Sequence, residues 1–236
     1  MEKLILSPRL RQITELVRPG SVLADVGTDH GYVPVWLLKN GVIPRAVATD
    51  LNRGPLSRAE TVAEQYGVRA QLRLVLCDGL RDVAAHEVDT VVIAGMGGET
   101  MIGILNAAPW TKENTELILQ PQSKLPELRE WLYTQDYFIT GEYLVRDAGK
   151  LYTIFTAQGG TAPLPERTFL YCGVPELHHN VENLCDYLKS ESSKLMELAS
   201  RLTNSGREAD RQRREEYLEV AAGMHTLYEK LRKESI

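Results

Sequence analysis

Apolar positions change their period several times along this chain, and each change marks an element. Ser7-Pro8 reads as an N-cap followed by proline at the first helical position. Leu10, Ile13, Leu16 and Val17 then line one helical face, and Pro19-Gly20 ends it. SVLADVG is a short apolar run of the kind found in strands buried on both faces. VPVWLLKNG follows as a helix stopped by Gly41. The alternation then repeats. RAVATD, LRLVLCDG, DTVVIAGMGG and TELILQPQ read as strands, and PLSRAETVAEQYG, ETMIGILNAA and LPELREWLYTQ as helices between or after them. Two β-rich runs, YFITGEYLVRD and LYTIFTAQ, close the series around Gly149-Lys150, a hairpin signal. This order predicts an α/β fold with a doubly wound, mostly parallel seven-stranded sheet. The hairpin is expected to make one edge strand antiparallel.

From about Pro163 the period becomes that of a heptad. Leu177, Val181, Leu184, Leu188, Leu195, Leu198 and Leu202 fall three, four or seven apart, and Tyr217, Val220, Met224, Leu227 and Leu231 repeat the pattern. Joined by Asn204-Ser205-Gly206, the two stretches predict an antiparallel coiled-coil hairpin with arms ~40 Å long. The Gly/Pro-rich GGTAPLPERT separates it from the sheet, giving domains of residues 1–160 and 161–236.

Composition narrows the function classes. The net charge of −5 supplies no global basic field, although a local basic face can still meet nucleic acid. Two clusters could do so: Lys3, Arg9, Arg11 and Arg18 near the first helix, and Arg207, Arg211, Arg213 and Arg214 opening the hairpin's second arm. The second cluster reads equally well as partners of Glu208, Asp210, Glu215 and Glu216 on a solvated face. Three cysteines without C-x-x-C, no signal-like start and no run of ~20 apolar residues predict a cytoplasmic protein away from membranes.

Candidate chemistry gathers at the carboxyl ends of the strands, where open α/β sheets bind ligands. Asp25-Val26-Gly27-Thr28-Asp29-His30-Gly31 follows the first strand, Asp50 ends the second, Asp78-Gly79 the third, and Gly95-Met96-Gly97-Gly98 the fourth. Asp50 is placed to accept from ribose hydroxyls, and Asp78 with the Gly79 N–H offers an adenine edge an acceptor and a donor. The other acids stand where a dinucleotide would place its phosphates. S-adenosylmethionine instead carries a sulfonium and an ammonium, which carboxylates stabilise. Asp29 alone also reads as a cap for the following helix. Gly27-x-x-x-Gly31 does not match a nicotinamide loop, and no Walker lysine is present. Cys172, His178, His179 and Cys185 match no zinc spacing, so no metal is expected; Cys77 reads as a core residue, and His86 and His225 as surface residues.

LSPRL, ADVGTDHGYVP, Gly54-Pro55, CDGL, IAGMGGETM, LILQPQ with LREWL, and RDAGKLYTI together resemble the bacterial TrmK family of tRNA (adenine(22)-N1)-methyltransferases, over nearly the whole chain. Two positions depart from the family's usual pattern: Asp50 stands where Glu is common, and Gln122 where QPN is common. The resemblance implies a Rossmann-like class I methyltransferase that transfers methyl from S-adenosylmethionine to adenine N1 in the D-arm region of tRNA. It implies a cofactor site of Asp25, Gly27, Thr28, Asp29, His30, Gly31, Asp50, Leu51, Asp78, Gly79, Ala94, Gly95, Met96 and Gly97. Arg9, Tyr32, Gln120 and Pro121 would meet the substrate, Asp29 would favour the positive charge developing on the base, and the hairpin would bind tRNA. Two other readings stand beside it: a small-metabolite methyltransferase with a dimerising hairpin, and a non-catalytic adenosyl-ligand sensor.

Overall fold

Helix α1 (Pro8–Leu16) starts where the sequence places it, with the Ser7 hydroxyl accepting from the Leu10 N–H at 3.4 Å. The structure, a computed structural model, describes residues 4–234; Lys3, counted above among the basic residues, lies outside them. Strands β1 (Val22–Val26), β2 (Arg45–Asp50), β3 (Leu72–Leu76), β4 (Thr90–Met96) and β5 (Glu116–Pro121) alternate with helices α2 (Tyr32–Lys39), α3 (Arg53–Gln65), α4 (Gly98–Ala107) and α5 (Leu125–Thr134). Strands β6 (Tyr137–Asp147) and β7 (Lys150–Gly159) complete a seven-stranded sheet of order β3-β2-β1-β4-β5-β7-β6. Leu23 and Ala24, Val91 to Ile93, and Leu117 to Leu119 are fully buried, which is why these strands read as continuous apolar runs.

The hairpin differs from expectation in one respect. Its turn is Ala148-Gly149, both with positive φ (47° and 77°), the geometry of a two-residue hairpin loop. The antiparallel strand is β7, inserted between β5 and β6, so the edge strand β6 runs in the parallel sense. Burial explains the order. Thr153 to Ala157 of β7 are buried without interruption, as an interior strand requires, whereas β6 largely alternates.

The chain divides into units Met1–Pro163 and Leu164–Ile236. In the second, α6 (Arg167–Cys172) precedes α7 (Val181–Arg201) and α8 (Glu208–Glu234), the latter two packed as a hairpin. At 21 and 27 residues the arms span about 32 and about 40 Å. Leu177 lies in a 3-10 turn ahead of α7, and Val181 and Leu198 are exposed. The buried positions of α7 are Leu184, Tyr187, Leu188, Ser192, Leu195 and Ala199. Leu188–Leu195 and Ser192–Ala199 keep a seven-residue spacing, whereas Leu184–Leu195 and Leu188–Ala199 are eleven apart, so the buried stripe departs from a strict heptad. Among the described residues no helix is long and apolar enough to cross a membrane.

Candidate active site

The chain passes from β3 across to β4 on the other side of β1, so a crevice opens beyond the carboxyl ends of β1 and β4. A cleft of about 310 Å³ lies there, within the size range of small-molecule sites. β1 delivers Asp25 to its floor. This carboxylate is 5% exposed and accepts from the Thr28 hydroxyl at 2.5 Å. Burial pushes its pKa up to about 6; the Thr28 hydrogen bond opposes the rise and the nearby Asp50 charge adds to it.

Gly27 leaves the strand at φ 70°, and a Cβ there would collide with the Met96 methyl, so glycine lets this loop and the end of β4 close on each other. The Gly27 and Thr28 N–H groups donate to the Thr49 carbonyl at 2.8 and 3.1 Å, anchoring the loop to β2. Asp29 does not cap α2: the cap position belongs to Gly31, and Asp29 itself takes a left-handed φ of 48°. Its carboxylate pairs with Arg58 of α3 at 2.5 Å and lies 3.8 Å from the His30 Nε2. The His30 ring stacks on Tyr32, centroids 5.1 Å apart.

Gly95, at φ 79°, sits at a bulge where Ala94 pairs with Gln120 but Met96 pairs with Pro121. The bulge turns Ala94 and Gly95 into the cleft. Arg9 of α1 reaches the same wall, donating to the Gln120 side chain and lying over the Tyr152 ring at 5.3 Å.

The cleft's lining thus includes Arg9, Asp25, Gly27, Thr28, Asp29, His30, Tyr32, Ala94 and Gly95. The other expected residues stand outside that lining. Gly31 is packed on Ala59, whose Cβ would be 2.9 Å from an added one. Asp50 accepts from the Asn52 N–H at 2.8 Å, with Leu51 exposed beside it. Asp78 is 3.8 Å from Arg81, and Gly79 is packed against Ile104. Met96 and Gly97 lead into α4, and Gln120 and Pro121 are buried in β5.

Sequence reasoning missed three lining residues, Leu10, Val33 and Gln122, and the Arg58 partner of Asp29. Gln122 follows directly on a strand that ends at the ligand edge, and that position was its signal. The His178 ring bonds the Cys172 carbonyl at 2.9 Å, and the Cys172 thiol donates to the Thr168 carbonyl within its own helix. Among the described residues no cluster of three or more His, Cys, Asp or Glu forms a metal site.

Residues 6–155 match the family described as Methyltransferase domain. The tRNA (adenine(22)-N(1))-methyltransferase of Bacillus subtilis is 35% identical over 161 residues, 68% of each chain. The chain belongs to the TrmK family of methyltransferases. The crystal structure of B. subtilis TrmK agrees with that membership: TM-score 0.83 at 26% identity, covering 94% of this chain and 99% of that one. A Streptococcus pneumoniae protein solved with S-adenosyl-L-methionine gives a TM-score of 0.78 at 28% identity, covering 93% and 99%. The family expectation drawn from DVGTDHGY and AGMGG is met by these relatives.

Proposed function

We infer that this chain transfers the methyl group of S-adenosylmethionine to N1 of adenine 22 in the D-arm region of tRNA. The observation that carries the reading is the acid-floored cleft at the β1/β4 edge of a chain 35% identical to the B. subtilis enzyme. The residues present suit the cofactor. Gly95 lets a ligand approach the backbone, Asp25 and Asp29 suit an ammonium and a sulfonium, and Asp50 suits ribose hydroxyls. Asp78 and the Gly79 N–H suit an adenine edge. When bound, the cofactor supplies an electrophilic methyl group.

Adenine N1 already carries an in-plane lone pair, so the chain need not provide a strong base. Its residues must align N1 with the methyl carbon and keep water out. The Tyr32 ring, stacked on His30 at the rim, offers a face on which a flipped-out adenine can rest. The methylated base becomes cationic, and the Asp29 carboxylate is the acid placed to favour it. Since Asp29 is paired with Arg58, its role is read through that pair.

Phosphate contacts are assigned to the hairpin unit. Arg207 pairs with Asp210 and Arg211 with Glu208, as a solvated helix face would have it. Arg213 and Arg214 make no ion pair among the described residues, and the Arg214 Nε is buried without a hydrogen-bond partner. Of this cluster, exposed Arg213 is the cation left for tRNA phosphates, since the Arg214 Nε is buried. The reading places the protein in the cytoplasm, with its substrate.

The test is methylation of unmodified tRNA transcripts by the full chain, read by nucleoside mass spectrometry and by primer extension. One 1-methyladenosine per tRNA, with an extension stop at position 22, is expected. A small molecule methylated in place of tRNA would defeat the reading, as would cofactor binding without any methyl acceptor.

A further inference from the structure

Two glutamines stand two residues apart at the end of β5, and their amides are used differently. Gln120 is fully buried; its carbonyl accepts from Arg9, and its Nε2 donates to the Pro121 carbonyl at 3.0 Å. Gln122 is exposed and lines the cleft, and its side-chain amide makes no hydrogen bond among the described residues. The backbone holds it in place, because its N–H donates to the Met96 carbonyl at 2.8 Å across the Gly95 bulge. A Cβ on Gly95 would lie 3.6 Å from the Gln122 Nε2 and 3.9 Å from the Arg9 Nη1. The bare glycine therefore leaves an open surface beneath an amide whose donor and acceptor are both unused.

We propose that Gln122 identifies the target base by its Hoogsteen edge, donating to adenine N7 and accepting from the N6 amine. The assignment rests on the adenine-N1 function inferred above. The chemistry leaves little alternative for reading the base. N1 must keep its lone pair free to attack the methyl carbon, so the Watson–Crick edge is not available for a donor. The other edge of adenine shows one acceptor and one donor, the complement of a carboxamide. Guanine shows two acceptors there, O6 and N7, so the Gln122 carbonyl would face an oxygen. Gln120 cannot serve, its amide being committed within the protein.

The experiment compares full-length tRNA carrying adenosine or 7-deazaadenosine at position 22, with wild type, Gln122→Leu and Gln122→Asn. A bidentate contact of this kind discriminates by roughly 5- to 150-fold. Wild type should lose kcat/KM in that range on the 7-deaza tRNA. Gln122→Leu should lose a similar factor on the natural tRNA and respond no further to loss of N7. Gln122→Asn should recover part of the loss. Cofactor affinity by calorimetry and the melting temperature of Gln122→Leu should match wild type, since the side chain is exposed. A Gln122→Leu enzyme that keeps wild-type kcat/KM, or that stays as sensitive to 7-deazaadenosine as wild type, would overturn the proposal. If wild type itself methylates no tRNA adenine at N1, the underlying function fails instead, a result visible before any variant is made.

Discussion

Two arginine–carboxylate pairs in the sheet unit have nearly the same length and opposite surroundings. Arg129 of α5 holds Glu142 of β6 at 2.6 Å, with both side chains 1% exposed and the guanidinium over the Phe155 ring at 4.6 Å. Arg58 of α3 holds Asp29 at 2.5 Å, with side chains 46% and 64% exposed. Water screens the second pair and leaves it about 0–1 kcal/mol. The first has no water to return to, so removing one partner strands a buried charge. Separation alone therefore says little about energy. The buried pair belongs to the fold's integrity, and the exposed pair to the position of one loop.

The strongest way to break this contrast is to take Glu142 away from Arg129. Glu142→Ala should cost about 3–5 kcal/mol, read as a large fall in melting temperature or denaturant midpoint. Replacing both partners, Arg129→Met with Glu142→Leu, should restore most of that loss, because two apolar side chains leave no stranded charge. A Glu142→Ala protein as stable as wild type would erase the distinction between the pairs.

Asp25 lies between these extremes, buried like Glu142 but placed in the cleft like Asp29. Its folded pKa, about 6, stands above the ordinary value of 3.8. Between those values the folded state holds a proton that the unfolded state has released, so stability falls as pH rises from about 4 to about 6. Above that window ionised Asp25 costs up to about 3 kcal/mol. Asp25→Asn should therefore stabilise the protein at neutral pH and flatten that part of the pH–stability curve. The same change should weaken cofactor binding, which calorimetry reads directly. An Asp25→Asn protein less stable than wild type at pH 7 would show that the carboxylate is not strained by its burial.

The two pairs also show what a sequence carries and what it hides. The strand–helix alternation was legible because β1, β4 and β5 are buried on both faces and must be apolar throughout. The insertion of β7 was hidden, since neither LYTIFTAQ nor YFITGEYLVRD alternates strictly in sequence and only burial separates the interior strand from the edge. Glu142 was hidden as well. A register shift between Ile139 and Gly141 changes which face the following residues occupy, and strict alternation does not reveal it. Asp25, Asp29 and the glycine turns were legible because strand ends at a switch point define the ligand edge. Arg58 was not, since it lies 29 residues from Asp29 and the contact depends on how closely Gly31 lets α3 approach. In the hairpin, heptad counting placed Leu198 on the seam, whereas Ala199 is buried there and Leu198 is exposed.

The smallest expected change in stability belongs to Asp29 and Arg58, and there the readout becomes kinetic. Asp29→Asn and Arg58→Gln should each shift stability by less than about 1 kcal/mol, because both groups return to water. If the pair acts as a unit that sets the loop carrying His30 and Tyr32, each substitution should lower kcat/KM by a similar factor, on the order of tenfold. The double variant should then be little worse than either single one, as residues acting together are strongly non-additive. Arg58→Lys, which keeps the charge, should recover part of the loss. The opposing possibility is that Asp29 acts on the developing cation by itself. Arg58→Gln would then be nearly silent or even activating, since it removes a competing positive charge, while Asp29→Asn would lower kcat with little change in the KM for tRNA. The double-mutant cycle separates the two: a coupling as large as the single effects assigns the work to the pair, and additive effects assign it to Asp29 alone.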